Sequence, residues 1–172
     1  MSAYTYLRDI AGKIIEYVGL VISSGSSDAG KLVALDDSGR LDMSVMPTGV
    51  GADIVSAAAT EALADGDFVN LYDNSGTPSV RKADATTNGK PANGFVLSSF
   101  ASGATVQVYK RGLNSHLTGL TCGQIMFLAT TAGQATPTAP SGSANLVQEI
   151  GECTSATTID FAPKKSVTKA TT

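Results

Sequence analysis

Between Gly51 and Pro163 the chain is cut into short apolar stretches by clusters of turn-forming residues, and this punctuation limits what it can fold into. Asp65-Gly66-Asp67, Asp73-Asn74-Ser75-Gly76, Asn88-Gly89-Lys90-Pro91 and Ala101-Ser102-Gly103 all combine residues that cap a turn backbone or adopt positive φ. The pieces between them predict strands over Asp53 to Ala59, Phe68 to Tyr72, Ser79 to Lys82, Gly94 to Ser98, Thr105 to Arg111, Ile125 to Ala129, Leu146 to Thr154 and Thr158 to Phe161. Val106 and Val108 alternate with Gln107 and Tyr109, as a half-buried strand requires. Short strands so closely spaced predict a mainly β fold, a small antiparallel β-barrel or sandwich. The side-chain inventory agrees: 18 Gly, no Trp and only 6% aromatic residues suit short strands and tight turns better than a helical bundle.

The region before residue 51 reads differently. Over about Ala3 to Ile22, apolar residues at Leu7, Ile10, Ala11, Ile14, Ile15, Val18, Val21 and Ile22 follow helical spacing and predict an amphipathic helix. Leu7, Ile14 and Val21 stand one heptad apart. The helix therefore either packs on its own domain or joins a short multi-stranded seam. Gly12 and Gly19 weaken it. Ser23 to Ser27 forms a hinge by composition, and Gly30 to Pro47 follows as an extended arm. In that arm Leu32, Val33 and Leu35 precede an Asp36-Asp37-Ser38-Gly39 turn signal, and Leu41, Met43, Val45 and Met46 follow it. Such a segment cannot bury its own side chains and needs a neighbouring surface.

The expected organisation is an N-terminal helix over 1–24, a hinge and attachment arm over 25–50, a β domain over 51–163 and a flexible tail over 164–172. Within the β domain, Thr130 to Ala144 is poor in large apolar residues and is expected to be an exposed excursion.

Most function classes find little support. Net charge is −3, and the basic doublets Arg81-Lys82, Lys110-Arg111 and Lys164-Lys165 are scattered, so no nucleic-acid partner is expected. Arg8, Asp9, Lys13 and Glu16 break the first apolar stretch, so no signal peptide is expected, and no run in the chain approaches the ~18–20 apolar residues of a membrane span, so no membrane partner is expected. Cys122 and Cys153 stand 31 positions apart without a CxxC motif and read as free thiols filling small apolar spaces. Gly25 to Lys31 matches a phosphate-binding loop as far as its lysine. Leu32 then replaces the hydroxyl residue that would ligate magnesium, and an extended segment replaces the expected helix. His116, the single histidine, has no carboxylate nearby in sequence. Asp36, Asp37 and Asp42, or Asp65 and Asp67, supply oxygens suited to a stabilising calcium ion but lack the EF-hand spacing. The expectation is a non-enzymatic chain with no catalytic, metal-binding or cofactor-binding residues.

Two stretches carry a resemblance. Residues 30–47, GKLVALDDSGRLDMSVMP, resemble an attachment segment of phage head-fibre and tail-fibre proteins. The second runs from Ala62-Leu63-Ala64-Asp65-Gly66-Asp67-Phe68-Val69-Asn70-Leu71 through Val80-Arg81-Lys82-Ala83-Asp84-Ala85-Thr86 and Gly94-Phe95-Val96. It continues through Val106-Gln107-Val108 and Leu117-Thr118-Gly119-Leu120-Thr121-Cys122-Gly123 to Gln148-Glu149-Ile150-Gly151. This stretch is similar to the small β-barrel of tailed-bacteriophage capsid decoration (cement) and head-fibre proteins. The resemblance does not extend to the N-terminal segment.

What the resemblance implies is a homotrimer on the outer capsid surface, made in the host cytoplasm and bridging copies of the major capsid protein. The contact residues expected on this reading are Leu7, Ile14, Val21, Leu32, Val33, Leu35, Leu41, Met43, Val45 and Met46. A tail-fibre or receptor-binding component, using the Thr130 to Ala144 loop against a host surface, is the alternative expectation.

Overall fold

A computed structural model of the chain describes residues 5–37, 39–42, 45–46, 53–86 and 88–170. The fold is mainly β, in two compact units that divide between Gly51 and Ala52.

The first unit opens with a hairpin where the helix was expected. Strand β1 (Thr5–Ile10) pairs antiparallel with β2 (Lys13–Val18) through a two-residue turn at Ala11-Gly12. Both turn residues have positive φ, 53° and 78°, the conformation whose twist matches the flanking strands. The Gly12 N–H donates to Asp9 Oδ1 at 2.9 Å, closing the turn. Ile10, Ile14, Ile15 and Val18 are β-branched and favour the extended state, so the apolar spacing that fits a helix is realised as two strands. Beyond the hairpin Leu20 and Val33 form a parallel bridge, and the Asp36 to Arg40 turn closes as expected, with Arg40 N–H donating to Asp36 Oδ1.

The second unit holds a closed barrel of β3 (Ile54–Ala59), β5 (Thr77–Lys82), β4 (Phe68–Asn74), β6 (Gly94–Phe95) and β7 (Thr105–Tyr109), in that order around the ring. The barrel is not wholly antiparallel. β3 runs parallel to β5 and antiparallel to β7, and its register against β7 spans Ile54↔Tyr109 to Ala58↔Thr105. Ala57, Ala59, Val69, Val80, Val106 and Val108 fill the interior with small and β-branched side chains. Gly94 has no alternative at its place: a Cβ there would collide with the Val108 side chain.

A five-stranded sheet follows in the order β10 (Ala135–Thr136), β9 (Ile125–Leu128), β12 (Glu149–Cys153), β13 (Ile159–Phe161) and β8 (Gly112–Asn114). Its apolar face shares a core with the outside of the barrel, where Phe161 meets Phe68 and Phe95 at 5.5 Å between ring centroids. Alternation along Phe68-Val69 explains the division of labour: Phe68 belongs to the shared core and Val69 to the barrel interior.

Three expectations change in this unit. The Leu146 to Thr154 stretch is two strands, β11 (Leu146–Val147) and β12, separated by Gln148. The Thr130 to Ala144 excursion contributes β10 to the sheet. The tail expected to be free supplies β14 (Val167–Thr168), paired with β11.

Candidate interaction surface

Exposed apolar side chains are concentrated in the first unit. Ten of the fourteen exposed large hydrophobic residues precede residue 42, and no buried hydrophobic residue lies before Ala57 among the described residues. This distribution is the inverse of an ordinary domain, where a patch of such residues marks a contact surface.

On the hairpin, directly paired residues share a face. Leu7, Ile14 and Val18 lie on one face, exposed by 70%, 73% and 60%. Ile10 and Ile15 lie on the other, beside the stacked rings of Tyr6 and Tyr17. The expected heptad seam is therefore taken apart: Leu7 and Ile14 lie diagonally on one face of two strands, whereas Val21 falls beyond β2 and is half-buried. A strand has a side-chain period of two, so residues seven apart within one helix have no special relation here.

In the arm Leu32, Val33, Leu35 and Leu41 are all exposed, and Val45 and Met46 are half-buried. Met43 lies outside the described residues. The Leu32 N–H donates to the Tyr6 hydroxyl at 3.3 Å, which holds the start of the arm against the hairpin. The glycine-rich stretch before it forms a single 3₁₀ turn over Ser26–Asp28. Lys31 Nζ lies 2.7 Å from Asp28 Oδ1, so the lysine that would serve a phosphate loop is held by a carboxylate of its own turn. That partner, with the Ser24 N–H, holds the Asp28 carboxyl below its ordinary range.

The second unit brings together a pair that sequence spacing missed. His116 Nδ1 meets Asp65 Oδ1 at 2.5 Å across 51 positions of chain, with both side chains roughly half exposed. The link joins the loop before β4 to the loop after β8, beside a small cavity of about 160 Å³ lined by Leu117, Thr118 and Gln134. Asp67 turns the other way. It is buried, accepts from the Ala64 N–H, and lies 3.1 Å from Lys82 Nζ. Asp65 and Asp67 thus take different partners, His116 and Lys82, rather than converging on one point. The Thr130 to Asn145 region walls an open depression of about 620 Å³, lined by Thr130, Gln134, Thr138, Ser141 and Asn145.

No protein-family model matches the chain, and no curated protein matches it. The exposed apolar unit is its strongest functional signal.

Cys153 is buried in the shared core, where desolvation first and the neighbouring Cys122 second raise its thiol pKa. Cys122 does not fill an apolar space as expected. It is exposed, with its Sγ toward the Thr154 carbonyl.

Proposed function

We propose that the chain is a structural virion protein that binds the outer surface of an assembled bacteriophage capsid as a homotrimer and stabilises it, without catalysis. The carrying observation is the contrast between the two units. One has its own closed barrel and shared core; the other exposes ten large apolar side chains and fully buries none among the described residues. A well-packed module joined to an unsatisfied apolar one suits attachment, and the arm is the segment that resembles phage attachment sequences.

Magnitudes favour a multivalent attachment. Leu32, Val33, Leu35 and Leu41 are about half exposed, so burying the remainder on the major capsid protein offers roughly 3–6 kcal/mol in gross transfer energy. Association and ordering consume about 4–15 kcal/mol, so one arm alone binds weakly. Three arms on one trimer bind at high effective concentration. Main-chain bonds from an exposed strand edge add affinity. Sites present only on the assembled shell stabilise it by mass action.

The test is sedimentation of purified protein with expanded empty capsids. Co-sedimentation at micromolar concentration supports the reading, and its absence overturns it. The depression lined by hydroxyl and amide groups at Thr130 to Asn145 favours a second reading, a tail-fibre or receptor-binding component. Labelled antibody located only at the tail tip of whole phage would favour that reading instead.

A further inference from the structure

We infer that the β1–β2 hairpin is the self-recognition element of the chain, and that copies join through its two unlike faces. The inference rests on the homo-oligomer of the proposed function and identifies its contact.

Directly opposed residues of an antiparallel pair project to the same side. The register Tyr6↔Tyr17, Arg8↔Ile15 and Ile10↔Lys13 therefore makes one face apolar and basic. The alternate register Thr5↔Val18, Leu7↔Glu16 and Asp9↔Ile14 makes the other apolar and acidic. Every cation of the hairpin lies on the first face and every anion on the second. Within a face the two like charges are diagonal neighbours, roughly 7–8 Å apart, and each sits directly opposite an apolar residue.

An isolated hairpin gains nothing from this arrangement, since opposite charges set across the strands would stabilise it and diagonal like charges do not. Arg8, Lys13 and Glu16 form no ion pair among the described residues, and Asp9 gives one carboxylate oxygen to its own turn. Stacking the basic face of one copy on the acidic face of the next matches charges and covers both apolar surfaces together. Stacking like faces would juxtapose like charges, which costs several kcal/mol. The contact is accordingly head-to-tail, which closes into a ring where the rotation from copy to copy allows and otherwise runs on as an open stack.

Size makes each contact weak. Six-residue strands make a face about 20 Å long and about 10 Å wide. That is roughly 200 Å², well short of the ~800 Å² per partner of a stable interface. Even with both faces covered a chain gives up only about 400 Å², so the match of charges, rather than area, decides which faces meet.

The experiment measures the mass of the full-length chain by sedimentation equilibrium in moderate salt. The wild type is expected to give a multiple of 17.5 kDa. Arg8→Glu with Lys13→Glu makes both faces acidic and should weaken self-association on the order of 100-fold, leaving a single-chain mass at the same concentration. Adding Thr5→Lys and Glu16→Lys gives the second face a net positive charge while leaving Asp9 on its turn, and should restore the wild-type mass. Far-UV circular dichroism and the melting of the second unit control for folding. A double variant that keeps the wild-type mass, or a fourfold variant that stays a single chain, overturns the face pairing while leaving the homo-oligomer intact. A single-chain wild type overturns both.

Discussion

Gln148 holds Ala92 by both of its backbone groups. The Ala92 N–H donates to Gln148 Oε1 and Gln148 Nε2 donates to the Ala92 carbonyl, each at 2.8 Å. A buried side-chain amide thus pairs with a loop as a neighbouring strand would, and Nε2 also reaches the Lys164 carbonyl. This ties the loop before β6, the gap between β11 and β12, and the start of the C-terminal segment at one point.

Truncating that amide leaves the Ala92 N–H and carbonyl buried without partners. Gln148→Ala is expected to destabilise the second unit by about 2–4 kcal/mol. Urea unfolding at an unchanged m-value would show this as a lower midpoint.

Asp67 and Lys82 form the ion pair with the most buried carboxylate among the described residues. Removing the lysine leaves a buried charge uncompensated, although Lys82 is partly solvated and the penalty is screened accordingly. Lys82→Met is expected to cost about 2–3 kcal/mol. His116→Ala, at an exposed pair, should cost no more than about 0.5 kcal/mol and leave capsid attachment unchanged. The two variants are compared by the same urea titration and the capsid sedimentation assay.

The cysteines should separate kinetically. Cys122 is exposed, whereas Cys153 is buried with a raised thiol pKa. A maleimide at neutral pH is expected to modify Cys122 promptly and Cys153 only in denaturant. Peptide mapping by mass spectrometry distinguishes them.

Asp28 supplies a pH dependence of definite sign. Its folded-state carboxyl is depressed, chiefly by the hydrogen bond from Lys31 and then by the Ser24 N–H. Its stabilising contribution is therefore present above the ordinary aspartate value of 3.8 and is lost as pH falls through the lower folded value. Lys31→Ala should move the Asp28 carboxyl midpoint upward in an NMR titration, with unfolding of the second unit unaffected.

The arm should be separable from the barrel. Leu32→Ser with Leu35→Ser removes two exposed side chains and should change the stability of the second unit by less than about 0.5 kcal/mol. On the proposed function the same variant loses at least about tenfold in capsid affinity, read by sedimentation.

By itself, the amino-acid order determined the β class from Ile54 to Phe161, because turn clusters and short alternating runs are local signals that act within a few residues. It also determined that Leu32, Val33, Leu35 and Leu41 would lack cover, since a short apolar run around a turn has nothing local to bury against. The hairpin was less legible. Its apolar spacing fits a period near 3.6, and the evidence for strands lay in Asp9-Ile10-Ala11-Gly12, which repeats the Asp-x-x-Gly form of Asp73-Asn74-Ser75-Gly76. Both turns close by an Asp Oδ1 accepting from the Gly N–H. Only tertiary structure decided that β3 closes the barrel by running parallel to β5, that Asp65 meets His116, and that Gln148 substitutes for a strand at Ala92. These pairings join residues 21 to 56 positions apart, and no local propensity encodes which partner a buried polar group or a free strand edge will find.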